Sequence, residues 1–411
     1  MTEAACGLTC GQGRKEPAME AYSEEKGLMI ELKGRIDSTN AEQFEKEIFE
    51  KCSGADKTAG VTLDANRLEY ISSAGLRVLM KLKRIQSEIR VVNVSPEVYD
   101  IFEVTGFCQI LDVKKKMRTV SIEGCEMISE GLSGKVYRLD PENIIKVYLP
   151  EVRFRDIERE LNCSKQAFIS GIPTAISYDI VKVGNAYGAV YEMLNAELLG
   201  ARMTANPDKA DFYIDRFTEL ALQLHHTDGS AMGLPKMKDN YLSMLPDLKR
   251  LLSEEDIAVL RRIIEAIPDR NTLIHGDLHT KNIMVQGEEL MLIDLGDLSI
   301  GHPMIEVTNC YSVFVAQIEK IPERAEKFLA VSPEMAAHIW ERFEEKYFPG
   351  AGPEAKKLIF GLCQLFALMR AVFATSKNPE MHEIFNAVFC NLKMNADNMI
   401  SLMQAADPLF L

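Results

Sequence analysis

Apolar and polar positions follow two different rhythms along this chain, and the change of rhythm divides it. Leu28-Met29-Ile30-Glu31-Leu32-Lys33-Gly34-Arg35-Ile36-Asp37 alternates as a half-buried strand does, and Gly60-Val61-Thr62-Leu63-Asp64 reads as a second strand. Between them Phe44, Ile48 and Cys52 recur every fourth residue behind Thr39-Asn40-Ala41-Glu42, a capping box, which predicts an amphipathic helix. Val78, Leu79, Leu82 and Ile85 form the apolar face of the next helix, with Ser72 and Ser73 at its N-terminus. Ile89-Arg90-Val91-Val92-Asn93 is a further strand, and Ser95-Pro96-Glu97 opens a helix with Pro at its first position. This βαβαβα order ends at Lys114-Lys115-Lys116-Met117-Arg118, a basic run expected to be a solvated linker.

Beyond the linker the rhythm changes. Two glycines, Gly131 and Gly134, sit between β-prone runs, followed by the strand Asn143-Ile144-Ile145-Lys146-Val147-Tyr148. A helix from Asp156 through Phe168 places Ile157, Leu161 and Ser164 on one face. Downstream of Asp211 the pattern is helical: Ile214, Phe217, Ala221 and Leu224 share a face, Ser253 caps a helix carrying Ile257, Leu260 and Ile264, and Ser332-Pro333-Glu334 opens another. Short apolar runs interrupt these helices at Leu273-Ile274, Ile283-Met284-Val285 and Leu290-Met291-Leu292-Ile293, and the polar groups between them fall on loops.

Those loops carry the chemistry. In His275-Gly276-Asp277-Leu278-His279-Thr280-Lys281-Asn282, followed by Asp294 after the next strand, the spacing is that of a phosphotransferase. One Asp accepts the proton of an attacking hydroxyl, while an Asn five residues later and an Asp on the following strand hold the Mg²⁺ that bridges the ATP phosphates. Asp277 and His275 are the catalytic candidates; Asn282 and Asp294 are the metal ligands. Such a site also needs a phosphate cradle, for which Gly131 and Gly134 let backbone amides approach phosphate without a Cβ in the way, with Ser133 between them as a further nucleotide-binding candidate. It needs an anchoring lysine as well. Lys146 is the single lysine of an apolar strand, and a glutamate at the start of the following helix should pair with it; Glu160 is favoured over Glu158 because it precedes Leu161 and borders the buried face.

On these motifs, residues from about 121 to 411 resemble the aminoglycoside phosphotransferase and choline kinase family, a branch of the protein-kinase-like fold. The resemblance implies that Glu130-Gly131-Leu132-Ser133 positions nucleotide, that Lys146 grips the phosphates, and that Glu160 pairs with it. It also implies that Gly188 to Leu194 is the last strand of the small lobe, leading through Glu192 and Leu194 into a hinge that reads adenine. Leu224-His225 resembles the family's Leu-His pair, and a core histidine explains His225 equally well. Thr280-Lys281 departs from the family's Pro-containing pair, and Glu306 stands where Asp is usual. Residues 26 to 117, with Ser72-Ser73-Ala74-Gly75-Leu76, resemble the STAS domain of anti-sigma factor antagonists. That resemblance implies phosphorylation of Ser73 by a partner kinase, at a helix N-terminus whose amides and dipole favour a phosphate. The expected architecture is an α/β STAS domain with a mixed sheet, followed by a bilobal α+β kinase-like domain. Residues 1–25 are expected to be a disordered leader, 26–117 the STAS domain, 118–194 the N-lobe and 195–411 a mainly helical C-lobe.

Composition narrows the partners. A length of 411 residues and 47% hydrophobic content suit two or three domains with real cores. A net charge of −14 argues against nucleic acid, and is as compatible with a cationic acceptor as with a solvated acidic surface. Nine cysteines without metal-type spacing read as reduced thiols of a cytoplasmic protein, Cys6 and Cys10 lying in the leader. No signal sequence is expected, because Glu3 comes early and no apolar run follows. The stretch from Leu358 to Ala374 contains Gln364 and Arg370 and reads as a buried helix and not a membrane span. Three functions of different class fit: an ATP- and Mg²⁺-dependent kinase of a small-molecule hydroxyl, with an aminoglycoside-, choline- or sugar-like acceptor implied by the resemblance, whose STAS domain docks an anti-sigma factor or other regulatory protein; a protein serine kinase acting on Ser73 of its own or another STAS domain in a partner-switching system; and an inactive kinase-like binding module, against which the intact set of charged groups argues.

Overall fold

The computed structural model describes residues 19–24, 27–53, 60–131, 133–376 and 379–410, and the chain separates into two units after Arg118. The first unit is built on strands β1 (Met19–Glu24), β2 (Gly27–Ile36), β3 (Val61–Ile71), β4 (Ile89–Val94) and β5 (Asp112–Lys115), in the order β1-β2-β3-β4-β5. Strand β1 is antiparallel to β2, and every later neighbour is parallel. Parallel neighbours require crossovers, supplied by helices α1 (Ala41–Cys52), α2 (Ser73–Ile85) and α3 (Pro96–Val104). Their apolar faces, Phe44 and Ile48 on α1, Leu79 and Leu82 on α2, and Phe102 on α3, close on Ile30, Leu63 and Val91 of the sheet.

Four expectations need correction here. The leader was expected to extend to residue 25, but Met19–Glu24 is a strand hydrogen-bonded to β2, so the order is ββαβαβαβ; residues 1–18, with Cys6 and Cys10, lie outside the described residues. The capping box at Thr39 to Glu42 does not form. Asn40 is the cap residue, and its side chain instead accepts from Asp37 N–H at 2.9 Å and donates to Arg35 O at 2.7 Å. The basic run is no simple linker: Lys114 and Lys115 lie in edge strand β5, whose backbone pairs with β4 while the charged side chains stay exposed, a pattern that also blocks further strand addition. Ile85, assigned to the buried face of α2, is 46% exposed at its last turn. Gly75 is where α2 approaches the sheet most closely, since a Cβ there would stand 2.7 Å from Ile36 and 2.8 Å from Ile71 side-chain carbons.

The second unit has a small lobe, an antiparallel sheet of β6 (Met127–Glu130), β7 (Gly134–Arg138), β8 (Asn143–Tyr148), β9 (Ser177–Val183) and β10 (Ala186–Glu192) in the order β6-β7-β8-β10-β9, with helix α4 (Phe154–Ile169) packed on it. The larger lobe begins with β11 (Glu197–Leu198), α5 (Leu199–Ala205), α6 (Ala210–His226), α7 (Met237–Met244) and α8 (Glu254–Glu265). Short strands β12 (Thr272–Ile274), β13 (Ile283–Gln286), β14 (Glu289–Leu292) and β15 (Ser299–Gly301) then form two small sheets, β11-β13-β14 and β12-β15. Helices α9 (Pro303–Tyr311), α10 (Gln317–Lys320), α11 (Pro333–Tyr347), α12 (Pro353–Thr375), α13 (His382–Met394) and α14 (Ala396–Ala406) complete it. Among the described residues α12 is the one helix long and apolar enough to cross a membrane; Ile359, Leu362, Phe366, Met369 and Phe373 bury one side of it in the core of this lobe.

Candidate active site

The loop between β12 and β13 presents Asp277, and its shape is set from beneath by a buried acid. Glu306, fully enclosed on α9, accepts from the backbone N–H of His275 at 2.7 Å and of Gly276 at 2.8 Å, and His225 Nε2 lies 3.4 Å from the same carboxylate. Burial alone would protonate this acid, but its bonds to His225 and to the backbone hold it below the ordinary glutamate range. His225 is thus a core histidine, clamped on its other side by Tyr347 Oη at 2.6 Å.

His275, read from the sequence as catalytic beside Asp277, is fully buried. Its Nδ1 accepts from Asp277 N–H at 3.3 Å and its Nε2 donates to Ile293 O at 3.2 Å. With both ring nitrogens engaged by backbone and the side chain enclosed, His275 shapes the loop, and the geometry does not support the catalytic part expected for it from the sequence. The histidine that does meet Asp277 is His279. Its Nδ1 accepts from Lys281 N–H at 3.2 Å, which leaves Nε2 to donate to Asp277 Oδ2 at 3.2 Å. Arg370 Nη2 of α12 stands 3.5 Å from Asp277 Oδ1. Burial works against ionisation of Asp277, but the His279 hydrogen bond and the positive charge of Arg370 outweigh it and hold the carboxyl well below its usual range.

Across from this loop, Lys146 Nζ bonds Glu160 Oε1 at 2.7 Å and Asp294 Oδ1 at 3.2 Å. Burial opposes the ammonium charge, yet the two carboxylates raise its pKa above that of an ordinary lysine. Tyr191 Oη reaches the same Glu160 oxygen at 3.4 Å, and α4 is tied to the segment after Asp294 by Arg159, which donates to Gly296 O at 2.9 Å. Asp294 itself adopts left-handed backbone (φ 58°, ψ 58°), an unfavourable conformation that Asp tolerates better than most residues and that is common at functional sites.

Asn282 donates its Nδ2 to Asp277 O at 2.9 Å, so its amide oxygen remains for a cation. One amide oxygen and the Asp294 carboxylate form a hard-oxygen set that fits Mg²⁺, an ion usually held by one or two carboxylates with phosphate and water completing its shell. Among the described residues no group of three or more His, Cys, Asp and Glu forms a metal cage.

The phosphate cradle is narrower than its two glycines suggest. A Cβ on Gly134 would stand 2.3 Å from Val147 O of β8, whereas at Gly131 the nearest atom would be 3.8 Å away. Gly134 is therefore required by the close approach of β7 to β8. Ser133 O accepts from Leu149 N–H at 2.9 Å; Leu132 lies outside the described residues. At the hinge, the Glu192 carboxylate accepts from Ile176 N–H at 3.0 Å, closing a strand end, and Met193 N–H donates to Glu142 O at 2.7 Å, while Leu194 is buried. In the first unit, Ser72 is the N-cap of α2, its hydroxyl accepting from Ala74 N–H at 3.2 Å, and Ser73 is exposed at the first helical position.

Three site residues escaped sequence reasoning. Glu306 was visible only as an acid at an unusual place, His279 only as part of a motif, and Arg370 only as an interruption of an apolar helix. Their partners lie 31, 2 and 93 residues away along the chain, and of the three only the His279 pairing is local.

The model of the phosphotransferase enzyme family matches residues 124–338, more than half of the chain, and that of the STAS domain matches residues 18–120. A putative anti-sigma factor antagonist, BtrV of Bordetella bronchiseptica, is 39% identical over 92 residues, covering 21% of this chain and 78% of that protein. Among solved structures, a choline/ethanolamine kinase family protein from Mesorhizobium loti is 16% identical over 69% of this chain and 91% of its own, at a TM-score of 0.43. Aminoglycoside phosphotransferase APH(3'')-Id from Streptomyces rimosus is 18% identical over 56% of this chain and 88% of its own, at a TM-score of 0.40. The chain thus belongs to the phosphotransferase enzyme family and carries a STAS domain ahead of the enzyme.

Proposed function

We propose that this chain transfers the γ-phosphoryl group of ATP to a hydroxyl of a small molecule. The observation that carries the reading is Asp277, held ionised by His279 and Arg370 on the loop that also bears Asn282, with the Lys146–Glu160 pair and Asp294 opposite. Asp277 Oδ orients the acceptor hydroxyl and takes its proton as the new O–P bond forms and the bond to the β,γ-bridging oxygen breaks, releasing ADP. Lys146 holds the phosphates and Glu160 holds Lys146. Asn282 and Asp294 would bind Mg²⁺, which supplies charge neutralisation on the phosphates. Gly134 and Ser133 bring the cradle against the phosphates, and Leu194 is the hinge residue whose N–H would meet adenine.

The STAS domain supports a regulatory role through a protein partner, an anti-sigma factor or a regulator of similar kind. One observation favours a second reading, a serine kinase acting on Ser73: the Ser72 hydroxyl already caps α2, so the exposed Ser73 hydroxyl is left for modification.

The test is ADP release from Mg-ATP by the full chain and by Asp277→Asn. The variant should keep its affinity for Mg-ATP and lose transfer by roughly 10²-fold or more, whereas Asp294→Asn should weaken the Mg²⁺-dependent part of binding too. Equal turnover by wild type and Asp277→Asn would sink the assignment. Intact mass separates the two acceptors, because a phosphate on Ser73 that disappears in Asp277→Asn would select the serine kinase.

A further inference from the structure

Arg370 breaks the pattern of its helix. α12 contains a stretch of mean hydropathy 1.8, yet places this guanidinium, 28% exposed, beside the proposed base. An arginine among apolar neighbours keeps its head where a partner or water can meet it. Its one polar contact among the described residues is Asp277 Oδ1 at 3.5 Å, a long contact that uses one of five donors, while the second carboxylate oxygen belongs to His279.

More positive charge stands on the same side. The Phe328 ring lies 4.9 Å from the His279 ring, and carries Lys281 Nζ at 4.9 Å and Arg324 Cζ at 5.4 Å from its centre. Phe373, one turn along α12 from Arg370, packs against Tyr241 with ring centres 5.4 Å apart, and burial raises the Tyr241 phenol above its ordinary range against the nearby charge of Arg370. Asp297, an acid on this side, has its own cation, Arg159, at 3.7 Å, and Asp247 lines the same cavity as Phe373.

Resting on the phosphotransferase reading, we infer that the acceptor is an anionic hydroxyl compound whose carboxylate or phosphate is bound by Arg370. A hydroxyl bonded to Asp277 puts the substituents of its neighbouring carbons within reach of that guanidinium, whose planar fork matches either anion in bidentate fashion. A cationic acceptor would bring like charge against it. The overall charge of −14 therefore misleads about the acceptor, because the charge that matters is that within a few ångströms of Asp277.

The test compares probes that share a hydroxyl and differ in charge: glycerate and glycerol 3-phosphate, glycerol, and choline and kanamycin. ADP release from Mg-ATP by the full chain is measured with each and without any. Stimulation, or competitive suppression of the acceptor-free hydrolysis, is expected from the anions alone, and glycerate against glycerol 3-phosphate separates carboxylate from phosphate. Arg370→Gln should raise the KM or inhibition constant for the effective anion at least tenfold, with Arg370→Lys recovering part of the loss. A response to glycerol, choline or kanamycin equal to that of the anions overturns the proposal. So does an equal loss with every acceptor in Arg370→Gln, which would mean that Arg370 acts only through Asp277. No response to either anion in a protein that hydrolyses Mg-ATP through Asp277 overturns it while the phosphotransferase reading stands. Absence of Mg-ATP binding fails that reading itself, and the proposal with it.

Discussion

Glu306 shows how one buried charge can organise a site without touching substrate. Its two oxygens satisfy consecutive backbone N–H groups immediately before Asp277, so the loop's shape depends on an acid that must stay ionised in the core. Glu306→Gln keeps the volume but turns one acceptor into a donor facing an N–H, leaving a buried group unpaired at a cost of about 1–3 kcal/mol. The pH dependence has a definite sign. A carboxyl whose folded pKa lies below its unfolded value stabilises fully above the unfolded pKa, and that contribution fades as pH falls through the folded one. The stability gap between wild type and Glu306→Gln should therefore be constant at neutral pH and narrow below the ordinary glutamate range. Urea denaturation at neutral and acidic pH measures it; a gap that widened in acid would show that Glu306 is not the ionised partner of the loop.

Gly134 and the two serines show how much depends on where one residue sits in its strand or helix. A Cβ at Gly134 must displace the Val147 carbonyl, so Gly134→Ala separates β7 from β8 and moves Lys146, which precedes Val147. Overpacking of this kind costs about 1–3 kcal/mol, and Mg-ATP affinity should fall by roughly tenfold, equivalent to about 1.4 kcal/mol; unchanged binding by calorimetry would exclude the coupling. At α2 the roles divide: Ser72→Ala should cost about 1 kcal/mol through the lost cap, and Ser73→Ala should leave stability nearly unchanged, as denaturant midpoints of the full chain would report. The sequence made legible what is local. Asp277 and Asn282 share one short loop, Lys146 is a lone charge in an apolar strand, and Glu160 is half a helix further on, so spacing alone brought them out. What spacing does not carry was missed. Glu306 and Arg370 act across folded distance, β1 and β5 are edge strands whose backbone pairing no local pattern announces, and Asn40 found better partners in Asp37 and Arg35 than in its own helix.

Among the described residues each unit has a hydrophobic core of its own. The apolar core of the first is made wholly of residues up to Val113, and the clusters of the second begin at Val120. Cores that share no side chains give each unit its own cooperative transition. The chain contains a single tryptophan, Trp340, buried on α11 of the second unit, so tryptophan fluorescence reports that unit while far-ultraviolet circular dichroism reports both. Mg-ATP binds the folded second unit in the reading proposed here, and a ligand present at about a hundred times its Kd stabilises the folded state by about 2.7 kcal/mol. Saturating Mg-ATP should therefore move the Trp340 transition to higher denaturant and leave the remaining dichroism transition in place. Lys146→Ala should cancel most of that shift, and because it leaves the buried Glu160 carboxylate without its cation it should also lower the Trp340 transition of the unliganded protein. A ligand-induced shift of equal size in both transitions would mean that the STAS domain unfolds together with the enzyme, and that whatever occupies Ser73 or its surroundings is read directly by the stability of the catalytic unit.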